Sequence, residues 1–299
     1  MKERMPAYGG QAVIEGVLMR GKYAVAMANR APNNEIIVHQ ENLAGVYTSK
    51  LTKIPFLRGL IGLWDALGLG MRYLTISANV QTGDDEKIEG PMLYLTLAIS
   101  LLFGIGLFFL APALVSGLLA RLIEMSAWVS NLFEGLFRLV LLILYLWVIG
   151  KMSDIQRVFM YHGAEHKTIN AYEDGAELTV ENVAAYSLQH PRCGTSFILT
   201  LVLLSILLFS LFGPLPLHWR LLSRLLMIPV LAGLAYEYIH LLSKHLDHPF
   251  VRFIIKPNLA LQNMTTREPT ADMLEVSIQA FNLMTALENE NKVKQIISP

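Results

Sequence analysis

The stretch 92–119, MLYLTLAISLLFGIGLFFLAPALVSGLL, contains no charged side chain. At 1.5 Å of rise per residue, a helix of this length reaches across a hydrocarbon layer of roughly 30 Å. Three more apolar stretches follow, at 132–149, 197–212 and 219–242. They predict a mainly α integral membrane protein with about four transmembrane helices. Pro229 within the fourth stretch predicts a kink. Composition agrees, since 54% of the 299 residues are hydrophobic and 16% are charged, outside the range of soluble domains. The formal net charge is zero, which argues against a nucleic-acid surface. The one cysteine, Cys193, excludes an intramolecular disulfide.

Outside the spans, the charges set an orientation. Lys50, Lys53, Arg58 and Arg72 precede the first span, Lys151, Arg157, Lys167 and Arg192 lie between the second and third, and Lys244, Arg252 and Lys256 follow the fourth. The other two connections are short and carry mainly Arg121 and Arg220. By the positive-inside rule both termini and the central loop are cytoplasmic, in a multi-pass protein of the plasma membrane.

The polar segments then form a cytoplasmic cap. Residues 1–50 alternate between apolar and polar, as in a small antiparallel β unit. Residues 51–90 hold an apolar helix, over 54–80, and an acidic link. Arg58, Asp65 and Arg72 recur there every seven residues, on one narrow face, which suits an interfacial helix better than a span. Residues 91–150 carry spans one and two, 151–195 a helical loop, 196–243 spans three and four, and 244–299 a tail. Within the loop, a helix over 151–173 continues span two and stops at Asp174-Gly175, and Thr179 caps a second helix that runs to His190 before Pro191. The tail shows Leu274, Ile278, Phe281, Met284 and Leu287 at amphipathic helical spacing.

The loop holds the chemistry-bearing motif, His162-Gly163-Ala164-Glu165-His166, an H-x-x-E-H pattern. On a helix the two histidines stand one turn apart on one face, so both imidazoles can reach one divalent transition metal such as zinc. Glu165 is then the candidate catalytic base, taking a proton from the attacking water. Candidates for a third ligand are Glu237, Cys193, His190, Glu173 and Asp174. The bland alternative is a packed cap in which both histidines bond to carboxylates or backbone, and Gly163 weakens the helix by about 1 kcal/mol relative to Ala. Glu237, near the cytoplasmic end of span four, has its own alternative as an acid held by Arg or Lys. Cys193 has one as a small buried filler.

Several blocks together resemble the YqhQ family, a bacterial membrane family catalogued as a domain of unknown function. They are Gly9-Gly10-Gln11-Ala12-Val13-Ile14-Glu15-Gly16-Val17-Leu18-Met19-Arg20, residues 161–168 and 190–196, Tyr236-Glu237, and residues 261–269. Members are commonly labelled predicted metal-dependent enzymes, so the resemblance implies a metal without naming a substrate. Gln11, Glu15 and Arg20 line the cap or bond within it. Thr265, Thr266, Arg267 and Glu268 are expected to cap the last helix.

The leading expectation is a metal-dependent enzyme, a hydrolase acting at the cytoplasmic membrane face, with the bilayer and other membrane proteins as partners. The first rival is a scaffold or accessory subunit. The weaker rival is a transporter, disfavoured by few ionisable residues in the spans and the lack of an inverted repeat.

Overall fold

The computed structural model describes residues 8–82 and 90–297, so most of the acidic link lies outside the described residues. The amino-terminal alternation forms a four-stranded antiparallel meander of β1 (Gly9–Val13), β2 (Gly16–Arg20), β3 (Ala24–Arg30) and β4 (Ile36–Asn42). A strand's period of two splits its side chains between two faces. Val17, Met19, Ala26 and Ala28 pack against helices α5 (Ser153–Asp174) and α11 (Ala271–Ile297). Val13, Leu18, Val25 and Met27 pack against Leu69 and Tyr73 of α1 (Leu57–Thr82). The sheet is therefore the filling between α1 on one side and α5 with α11 on the other.

The seven-residue charge pattern of α1 has a structural meaning. Arg58 pairs with Glu237, Asp65 with Arg20 on β2, and Arg72 with Glu41 on β4. One helical face thus ties the apolar bundle to the sheet. The polar residues of the β unit are ties too. Glu15, in the left-handed region at φ 52°, binds Arg157 Nε at 2.5 Å and accepts from the Tyr161 hydroxyl at 3.3 Å. Gln11 lies against Gly70, where a side chain on α1 would collide with it.

Beyond α1, α2 (Gly90–Ile105) and α3 (Ala111–Leu122) join through one wide turn, Gly106–Leu110, into a 33-residue apolar helix. It is followed by α4 (Ala127–Ile149). These two are long and apolar enough to cross a membrane. A third candidate is the pair α8 (Leu217–Leu226) and α9 (Ile228–Ser243), bent by 44° beside Pro229. The helix α7 (Gly194–Ser210) is equally apolar but 17 residues long.

Two expectations for the central loop change. Its first helix is not a continuation of span two, because Met152 is extended (ψ 133°) and α5 starts afresh at Ser153. The helix ends as expected, at Gly175 with φ 81°. The second helix is only α6 (Val180–Ala184), capped by Thr179. Beyond it, Lys167 takes the Ala184 carbonyl that the next turn would need, and Asn170 and His166 hold the carbonyls of Ser187, Gln189 and Leu188, so α5 fixes this stretch in an irregular path. The tail contributes one helix more than expected, α10 (Pro249–Thr265), which lies along α7 through Asn258 to Thr200 and Gln262 to Ser196.

Candidate metal centre

His162 and His166 stand one turn apart on α5 with ring centres 4.4 Å apart. Each ring is fixed from behind by a backbone carbonyl. His162 Nδ1 lies 2.8 Å from the oxygen of Thr265, and His166 Nδ1 lies 2.5 Å from that of Leu188. A carbonyl only accepts, so Nδ1 carries the proton in both rings and each Nε2 presents a lone pair. Those lone pairs face Cys193. His162 Nε2 is 3.1 Å from its Sγ, and the ligand atoms of His162, His166 and Cys193 all lie within 4.8 Å of one another. Zinc ligands in tetrahedral geometry stand about 3.3–3.6 Å apart, so small adjustments of the three side chains fill three of the four positions.

His166 Nε2 is buried and makes no hydrogen bond of ordinary geometry among the described residues, with the Cys193 sulfur as the polar group that interacts with the ring. Such an orphan is costly unless something electron-poor occupies the space before it. Burial also pushes the His166 pKa down, an effect partly offset by Cys193, which keeps the ring neutral and its lone pair free. The imidazole–carbonyl contacts are the arrangement that orients histidines around a metal. These three residues therefore fit a transition metal, with one position left for water or substrate.

The motif's surroundings explain its odd residues. Gly163 is required, because a Cβ there would run into the carbonyl of Arg267. That close approach lets the segment 265–267 cross α5, where Arg267 N donates to Phe159 O at 2.9 Å and Thr265 presents its carbonyl to His162. The helix carries Gly163 without a break. Residues 265–268 thus strap α5, with Glu268 on Lys167 at 2.7 Å, and do not act as a simple cap for α11. Cys193 is set by the start of α7, where it is the N-cap residue and accepts from Thr195 N at 3.4 Å. Gln262 locks the approach to it by donating to His190 O and Ser196 Oγ and accepting from His190 N.

Glu165 is buried against β1, where a Cβ on Gly10 would stand 2.8 Å from its Oε1. Burial raises its pKa, and His162 and His190 pull it partly back. The carboxylate stands outside the three-residue ligand set. His190 is near, its ring 5.7 Å from that of His166, but its Nε2 faces Glu173 at 3.6 Å. Glu173 is engaged by Arg192, and Asp174 accepts from the Tyr186 hydroxyl. Glu237 is not brought to the motif. Its carboxylate takes Arg58 Nε at 2.7 Å and the backbone N–H of Phe56 at 3.0 Å, so it fastens α9 to the start of α1.

The family model described as "Protein of unknown function (DUF1385)" matches residues 54–287. This chain belongs to that family. It is 37% identical over 300 residues to the "Uncharacterized protein YqhQ" of Bacillus subtilis (strain 168), a match that covers 95% of this chain and 93% of that protein. No solved structure matches. The DUF1385 match begins just before α1 and takes in both histidines, Glu165 and Cys193.

Sequence reasoning passed over a second polar cluster, inside the apolar bundle. The Glu134 carboxylate receives guanidinium groups from Arg138, Arg220 and Arg224, at 2.9, 2.7 and 2.7 Å. The expectation that the spans are poor in ionisable groups is corrected by these four buried side chains. The available signal was a pair of i,i+4 spacings, Glu134 with Arg138 and Arg220 with Arg224, each placing two charges on one helical face.

Proposed function

We propose that this chain is a multi-pass membrane protein whose cap carries a metal-dependent hydrolase centre. The observation that carries this reading is the convergence of two imidazole lone pairs and one sulfur, each imidazole pinned from behind. In this reading the helix from 90 to 122, α4, α7 and the bent pair α8–α9 are four spans. Both termini, the sheet, α5 and α11 lie on the cytoplasmic side. The domain divisions are those of the sequence: β unit 1–50, interfacial helix and link 51–90, spans to 150, motif loop 151–195, spans 196–243 and tail 244–299.

His162 and His166, through Nε2, and Cys193, through Sγ, hold the ion. A bound divalent metal such as zinc supplies Lewis acidity toward the scissile carbonyl or phosphoryl group. Glu165 accepts the proton of the attacking water and returns it to the leaving group. Its raised pKa makes the ionised carboxylate a stronger base than a solvated one. His162 is the half-buried member of the set, so substrate approaches from its side. That side is also where α7 enters the bundle, which suits a lipid or a membrane-protein segment as substrate.

Variants at matched membrane levels test the assignment. Replacing His162 or His166 with alanine should abolish bound metal. Glu165→Gln should retain the metal and lose complementation of a deletion strain. A scaffold for other membrane proteins gives the opposite pattern, in which Glu165→Gln complements fully and the histidine changes act only through abundance.

A further inference from the structure

The arginine cluster in the bundle is out of charge balance. Three guanidinium groups surround one carboxylate, and Arg138, Arg224 and Glu134 each have side chains 1% exposed. The remaining partners are neutral: Arg138 donates to Phe108 O and Ser205 Oγ, Arg220 to Ser130 and Ser116, and Arg224 to Asn131 and Ser223. Every guanidinium nitrogen has a partner, yet two positive charges have no counter-charge among the described residues. Arginine does not escape by losing its proton, because the delocalised guanidinium stays charged in proteins. Uncompensated charge in an apolar bundle is expensive, so an anion is the expected complement.

A cavity of about 160 Å³ opens beside the cluster, at the end of the bundle away from the sheet. Arg220 and Arg224 form its wall, Arg121 stands at its mouth, and Ser130 and Asn131 add polar groups. Its volume is that of about five waters at 30 Å³ each, enough for a tetrahedral oxyanion. We propose that this cavity is a phosphate-binding site. A guanidinium carries five N–H donors, and Nη1 of Arg220 and of Arg224 gives one of its two to Ser130 and Ser223, so each can add a phosphate oxygen to the partners it holds. The phosphate belongs either to an anionic lipid headgroup at the bundle's edge or to a soluble phosphate compound. Neither the location nor the charge excess involves the His162 centre, whose Cys193 caps α7 at the end opposite the cavity, about 25 Å away by helical rise.

The test uses the full chain in phosphatidylcholine nanodiscs. Its unfolding temperature is measured while inorganic phosphate is titrated in, and separately with one third of the lipid replaced by phosphatidylglycerol. One of these anions should raise it by about 5 °C at saturation, because a ligand that binds only the folded state stabilises it. A rise with phosphatidylglycerol alone assigns the site to a headgroup, and a rise with inorganic phosphate assigns it to a soluble compound. The rise should fall by at least half in Arg220→Gln, which removes one excess charge, and stay intact in Arg252→Gln, far from the cavity. If Arg220→Gln does not fold, Asn131→Asp carries the same test by supplying a carboxylate beside Arg224. No rise with either anion, or the same rise in the variant as in the unchanged protein, overturns the site.

Discussion

Two buried polar clusters share this molecule, and they are built in opposite ways. In the cap, His162, His166 and Cys193 turn lone pairs inward, and the donors on the far side of both rings are already satisfied by carbonyls. In the bundle, Arg138, Arg220 and Arg224 turn donors inward onto Glu134. One cluster is an arrangement of acceptors short of a cation, and the other an arrangement of cations short of an anion. Burial, which both share, says little about what either binds. The direction in which protons point says much more.

The largest expected effect breaks the bundle cluster. Glu134→Gln keeps the shape but removes the carboxylate that three guanidinium groups share, and losing one partner of a buried ion pair costs about 3–5 kcal/mol. Folded protein recovered from membranes should drop severely. Glu165→Gln changes a buried carboxyl with no ion-pair partner among the described residues, and should fold at near-normal yield. Equal losses in the two variants would erase the contrast.

Gly163→Ala comes next. Its methyl group would meet the Arg267 carbonyl, and such overpacking costs about 1–3 kcal/mol. Because that segment also holds the Thr265 carbonyl behind His162, metal affinity should fall together with the unfolding temperature. A variant that loses stability while keeping its metal dissociation constant would show that the strap does not position the ring.

A smaller effect concerns pH. Burial raises the Glu165 pKa in the folded state, so the native carboxyl holds its proton at pH values where the unfolded one has lost it. Folding stability is unaffected below the unfolded value of about 4.3, then falls as pH rises toward the folded pKa. Glu165→Gln removes that loss. Metal-free Glu165→Gln should therefore gain on the unchanged protein as pH rises above the unfolded value, at no more than about 1.4 kcal/mol per pH unit. A gap that shrinks with rising pH contradicts the burial of an unpaired carboxyl. The smallest effect belongs to Glu41→Ala, which breaks the pair with the largely exposed Arg72 and should change stability by at most about 1 kcal/mol.

Much of this was legible in the sequence where a local rule applies. Period-two alternation reveals the sheet, uninterrupted apolar runs reveal the bundle helices, and the seven-residue recurrence of Arg58, Asp65 and Arg72 reveals a helix with one polar face. The H-x-x-E-H spacing was enough to put both histidines on one side of α5. Their third companion could not be read locally, because Cys193 reaches them through a chain reversal after α6 and Glu237 is withheld by Arg58. The bundle cluster was hidden for a related reason. Glu134 and Arg220 are 86 positions apart, and each looks like a lone interruption in an apolar run until the helices pack. The early end of α6 was equally unreadable, since it depends on donors from α5.

The central claim is that the cap cluster is a cation site. Elemental analysis of the full chain, purified without added metal and without chelator, addresses it directly. A metal centre predicts about one equivalent of a transition metal per chain, lost in His166→Ala and in Cys193→Ala, and retained in Glu165→Gln and Glu237→Gln. No stoichiometric metal in the unchanged protein, or metal that survives removal of both His166 and Cys193, would contradict it.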